Sequence, residues 1–134
     1  MPDAAGFTEQ VSALAGAGWP VDSRTLTRAL YSSDASLYRV PPAAVSRPAS
    51  VPELVEVVDA ARAAGLPVTT RGAGTSIAGN AVGTGLILDS TRLSRIAHLD
   101  PITKAAIVEP GVIPARLTAA AARHGLRFGP DPST

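Results

Sequence analysis

A glycine-rich stretch, Gly72-Ala73-Gly74-Thr75-Ser76-Ile77-Ala78-Gly79-Asn80, follows directly on the β-branched run Val68-Thr69-Thr70-Arg71 and constrains the fold more than any other feature of the chain. It holds too many glycines for a helix or a packed strand and too many apolar residues for a disordered linker, so it reads as a shaped loop at the end of a strand. Backbone N–H groups can converge on an anion where no side chain blocks the approach, and a diphosphate is the natural guest. Thr75 and Ser76 add hydroxyl donors. A tight turn joining two buried strands is the plain alternative. Two familiar phosphate motifs fail on spacing. The dinucleotide fingerprint needs a third glycine where Ile77 stands, and the Walker loop needs a lysine before its Ser or Thr, whereas the only lysine here is Lys104.

The segments around the loop predict an α/β chain, with a parallel strand–helix–strand unit expected to be right-handed. Residues 43–47 form a strand candidate. Ser50-Val51-Pro52-Glu53 has the spacing of a capping box with proline in the first turn. Leu54, Val57, Val58 and Ala61 then share one helical face, and Gly65 and Pro67 supply the stop. Upstream, Gly16, Gly18 and Pro20 break residues 7–30 into two short helices, and residues 31–42 have the Ser/Asp/Pro composition of an ordered loop. Downstream, Leu86-Ile87-Leu88-Asp89 and Ala105-Ala106-Ile107-Val108 read as strands joined by a polar connector. Pro114 opens an alanine-rich helix through His124, Gly125 ends it, and a short strand is expected over residues 126–128.

Composition removes several classes of function. Twelve Lys plus Arg against eleven Asp plus Glu leaves a charge of +1, spread without runs, and so no electrostatic case for nucleic acid as a partner. The absence of cysteine removes disulfides, thiol nucleophiles and thiolate metal ligands. No metal site is expected. The longest charge-free stretch, between Arg71 and Asp89, is too rich in glycine for a membrane span, and the cytoplasm is the default compartment.

The ordered set Arg47-Pro48, Ser50-Val51-Pro52-Glu53, the run from Pro67 to Ser76, Gly79-Asn80-Ala81-Val82, Leu86-Ile87-Leu88-Asp89, Glu109-Pro110-Gly111 and Gly129-Pro130-Asp131-Pro132-Ser133 resembles the first half of a PCMH-type (vanillyl-alcohol-oxidase-like) FAD-binding domain. With the preceding Tyr31-Ser32-Ser33-Asp34-Ala35-Ser36-Leu37-Tyr38, it is similar to the glycolate oxidase and D-lactate dehydrogenase group, and most of all to large members with a C-terminal iron–sulfur region. The resemblance covers residues 31–134. It implies a lead-in over residues 1–42 and the N-terminal part of the flavin domain over residues 43–134.

It further implies that Arg71, Gly72, Ala73, Gly74, Thr75, Ser76, Gly79 and Asn80 wrap the FAD pyrophosphate, with Pro110, Gly111, Pro130, Asp131 and Ser133 near the flavin. Some relatives carry a histidine at the position of Thr75 and attach the flavin through it, so threonine there implies non-covalent FAD. The implied activity is oxidation of a small D-2-hydroxy acid, with electrons passing to an iron–sulfur centre, a quinone or a cytochrome, and with membrane association only through such a partner. Substrate ligands and a catalytic base would lie beyond Thr134, so no residue present is assigned a catalytic role. The alternative is a non-catalytic half-domain that binds a nucleotide or a partner chain.

The other candidates have plainer uses. His98 and His124 are poor acid–base candidates, with His124 suited to a helix C-terminus. Asp34 could be a ligand, but an Asx turn or a helix cap is the plainer use. Arg71 suits a phosphate or a carboxylate equally. Trp19, Tyr31, Tyr38 and Phe128 suit packing.

Overall fold

A computed structural model describes residues 7–130. The chain divides into two compact units, one running to Arg92 and one beginning at Leu93.

The first unit is a four-stranded sheet covered by helices. Helix α1 (Thr8–Gly16), strand β1 (Val21–Asp22) and helix α2 (Thr25–Leu30) realise the broken helical segment, with a two-residue strand in the break. Strand β2 (Ala44–Ser46), helix α3 (Val51–Ala63), strand β3 (Val68–Arg71) and strand β4 (Leu86–Asp89) follow. The sheet order is β1-β2-β4-β3. Strand β1 is antiparallel to β2, while β2 and β3 both run parallel to β4, with Val45 and Thr69 flanking Ile87. The β2–α3–β3 unit is therefore parallel, but β4 lies between its two strands.

The cap of α3 forms by side-chain chemistry at both ends of the Ser-x-x-Glu spacing. Ser50 Oγ accepts from the Glu53 N–H at 3.3 Å, and Glu53 Oε2 accepts from the Ala49 N–H at 2.8 Å, one residue before the N-cap. Val57 and Ala61 of α3 are buried with Val11 and Leu14 of α1, Ala44 of β2 and Leu86 and Leu88 of β4, and Trp19 packs against this cluster. Strand β4 is buried at every position, as a central parallel strand must be when both faces are covered. Its entry requires Gly85, because a Cβ there would collide with the Pro67 carbonyl oxygen and approach Pro67 Cγ to 2.7 Å.

In the second unit, strand β5 (Ile96–Asp100) pairs antiparallel with strand β6 (Ala105–Val108) through a bulge at Ile96/His98. Sequence reading assigned β5 to the polar connector, because its charged and exposed residues hide any apolar alternation. Asp100 shapes the hairpin turn, accepting from the Ile102 N–H at 2.9 Å and the Thr103 hydroxyl at 2.7 Å. Helix α4 (Pro114–Ala122) ends before His124, which lies in the following turn. Residues 126–128 form no strand, since no described segment pairs with them; Leu126 and Phe128 instead line an apolar groove of about 360 Å³ with Leu99, Val108 and Leu117.

Candidate functional site

The three parallel strands deliver their last residues to one edge of the sheet. Arg47 follows β2, Asp89 ends β4 and Arg71 ends β3, where the glycine-rich loop begins. Open parallel sheets bind ligands outside the carboxyl ends of their strands, so this edge is where a site is expected.

Asp89 anchors the edge. Its Oδ1 accepts from the Thr91 N–H at 2.9 Å and the Thr91 hydroxyl at 2.6 Å, and its Oδ2 accepts from the Tyr31 hydroxyl and lies 3.4 Å from Arg47 Nε. Burial pushes this carboxyl upward, but the Thr91 and Tyr31 hydrogen bonds and the Arg47 charge outweigh it and hold the group below the usual carboxylate range. Burial, followed by the hydrogen bond to Asp89, pushes the Tyr31 phenol up to about 12.

The Arg71 guanidinium stacks over the Tyr31 ring at 5.1 Å and donates from Nη1 to the carbonyls of Ser33 at 2.9 Å and Ala81 at 3.1 Å. Its recorded partners are thus carbonyls and an aromatic face. Gly74 has φ +73°, which favours glycine, and a Cβ on it would lie 2.8 Å from Cζ of the same guanidinium and displace it.

Beyond Gly74, Ser76 Oγ accepts from the N–H groups of Ala78 at 3.2 Å and Asn80 at 3.0 Å and closes the second half of the loop. Among the described residues, no acceptor takes the N–H groups of Gly72, Ala73, Gly74, Ser76 or Ile77. Gly72, Ala73, Thr75 and Ile77 are exposed. The loop therefore presents a row of backbone donors on a shape fixed from behind, which fits the diphosphate of a dinucleotide cofactor.

Arg71, Gly72, Ala73, Gly74, Thr75, Ser76, Gly79 and Asn80 thus form one loop in the first unit. Pro110, Gly111 and Pro130 belong to the second unit, where the Gly111 N–H donates to the Leu93 carbonyl at 2.7 Å ahead of α4. Asp131 and Ser133 lie outside the described residues. Sequence reading missed the Tyr31–Asp89–Arg47 group, whose members are far apart along the chain. It expected the Asx turn at Asp34, which forms with the Ser36 N–H at 2.9 Å, but not the longer reach of that side chain to the Ala81 N–H at 3.2 Å.

A family model described as an FAD binding domain matches residues 42–134. The chain belongs to this family. This FAD-binding domain is 36% identical over 102 residues to an uncharacterized FAD-linked oxidoreductase of Mycobacterium tuberculosis, covering 73% of this chain and 22% of the relative. It is 34% identical over 101 residues to the glycolate oxidase subunit GlcD of Escherichia coli, covering 74% of this chain and 20% of that protein. D-lactate and D-2-hydroxyglutarate dehydrogenases also match. The chain spans about a fifth of the length of these first two relatives. In fold it matches a solved alkyldihydroxyacetonephosphate synthase, with a TM-score of 0.75 at 20% identity over 92% of this chain and 26% of that one. The mixed helices and parallel sheet are those of a PCMH-type FAD-binding fold. No helix among the described residues is long and apolar enough to cross a membrane.

Proposed function

We propose that the loop over residues 71–80 holds the pyrophosphate of a non-covalently bound FAD, in a flavin-dependent enzyme that oxidises a small D-2-hydroxy acid. The observation that carries this reading is that the N–H groups of Gly72, Ala73 and Gly74, directly after β3, meet no described acceptor at the carboxyl edge of a parallel sheet in an FAD-binding domain. The N–H groups of Gly72, Ala73 and Gly74 donate to phosphate oxygens, and the Ser76 hydroxyl, which already accepts two N–H groups, turns its proton to the same ligand. Asn80 closes the loop, and Pro110, Gly111, Pro130, Asp131 and Ser133 are assigned to flavin binding on the family resemblance. Thr75 offers no nucleophilic nitrogen, so it holds the cofactor without bonding to it.

Bound FAD supplies the ring that accepts hydride from C2 of the substrate, while the protein positions it and tunes its electronics. The relatives named for glycolate, D-lactate and D-2-hydroxyglutarate support the substrate class. An iron–sulfur centre, a quinone or a cytochrome then takes the electrons.

The test uses the protein in its complete natural form. Acid precipitation should leave the flavin in the supernatant, and anaerobic addition of one of those three hydroxy acids should bleach the flavin band. Flavin in the washed pellet would refute non-covalent binding, and a band unmoved by all three acids would refute the substrate class.

A further inference from the structure

We infer that Asp34 is a positioning residue for the flavin loop, acting through a clamp that the segment over residues 33–38 applies to the loop from behind. The inference rests on the assignment of residues 71–80 to FAD. Four contacts from this one short segment reach the loop along its length. At its start, the Ser33 carbonyl accepts from Arg71 Nη1 at 2.9 Å. At its tip, the Ala35 N–H donates to the Gly74 carbonyl at 3.1 Å. At its far side, the Tyr38 ring lies so close that a methyl on Gly79 would sit 2.5 Å from Tyr38 Cδ2. At its exit, Asp34 Oδ2 accepts from the Ala81 N–H at 3.2 Å.

Asp34 holds these contacts in register. Its Oδ1 accepts from the Ser36 N–H at 2.9 Å and the Ser36 hydroxyl at 2.5 Å, which sets the turn that carries Ala35 and Tyr38, while its other oxygen holds the loop's exit. Ser36 Oγ in turn accepts from the Tyr38 N–H at 3.1 Å. A carboxylate suits this point because all three groups it meets are donors, and an amide would turn its NH2 toward one of them. The N–H groups of Gly72, Ala73 and Gly74 take no part in the clamp and meet no described acceptor, so they stay available while their positions are fixed before the cofactor arrives. Preorganisation of this kind raises affinity by removing an ordering cost from binding.

The experiment measures FAD affinity of the complete natural protein, stripped of flavin, by quenching of flavin fluorescence, with ADP as a competing probe that carries the diphosphate alone. Asp34→Asn should weaken FAD about tenfold and ADP by the same factor, while bound flavin at saturation keeps one-to-one stoichiometry and its normal absorption spectrum. Ser36→Ala, a milder change, should give a smaller loss in the same direction. Equal affinities in both variants and the parent would overturn the clamp. So would reduced stoichiometry with unchanged affinity, which marks lost fold rather than a displaced loop. If the parent protein itself takes up no FAD or ADP, the assignment of the loop fails and the clamp falls with it, an outcome distinct from the others because it needs no variant to appear.

Discussion

Asp89 is only 4% exposed, and a carboxylate so buried persists only because every direction of approach brings a donor or a cation. Its depressed folded-state pKa means that it contributes stability above the unfolded carboxylate value of about 3.9, and that this contribution is lost as the pH falls through the folded value. Asp89→Asn should therefore cost about 1–3 kcal/mol near neutrality, and the gap to the parent should close in acid, as denaturant unfolding between about pH 6 and pH 2 will read. A gap of constant size would mean that the charge does not matter. At the other end of the scale, Tyr31 is raised to about 12, so its contribution is complete below pH 10 and fades as the phenol ionises. The same variant removes the Asp89 charge and weakens the hydrogen bond, both of which add to burial in raising the phenol, and ultraviolet titration should show the Tyr31 phenolate forming at lower pH. Because burial is the larger cause, the shift back toward 10 should be partial.

At the scale of elements, β3 and β4 depend on a backbone approach that leaves no room for a side chain at Gly85. Gly85→Ala must push the Pro67 carbonyl away and disturb the Leu86 N–H bond to it, 2.8 Å long, for an expected loss of about 2–3 kcal/mol. Gly83→Ala collides with the Thr69 hydroxyl and meets Thr69 Cβ at 3.3 Å, all side-chain atoms and no backbone, so thermal or denaturant unfolding should rank it below Gly85→Ala. Equal losses would show that the strand entry is not the tight point.

Elements with local signals were legible in the sequence. The Ser50–Glu53 spacing and the apolar face through Ala61 located α3, and β-branching located β3. What escaped was set by distant partners. β5 exists because β6 pairs with it, residues 126–128 lack such a partner among the described residues despite their apolar character, and the insertion of β4 between β2 and β3 depends on registers across forty residues. The site divides the same way. Glycines announce the loop itself, but the reach of Asp34 to Ala81 and of Tyr31 to Asp89 spans 47 and 58 residues.

Taken as a whole, these 134 residues carry a net charge of +1 and so offer no long-range pull of their own on an anionic cofactor, and their share of the affinity for FAD has to come from local donors and shape. A cofactor that binds the folded chain and not the unfolded one stabilises it by mass action, by about 2.7 kcal/mol at a hundredfold excess over Kd. The melting temperature of the complete natural protein should therefore climb with the logarithm of FAD concentration above Kd. ADP should give a shift of the same kind, because the proposed contacts are made to the diphosphate, whereas lumiflavin, which lacks it, should give little. A melting temperature indifferent to FAD and ADP would remove the loop from the binding site. One that responds to FAD and lumiflavin but not to ADP would move the main contacts away from residues 71–80 and onto the groups that meet the flavin ring.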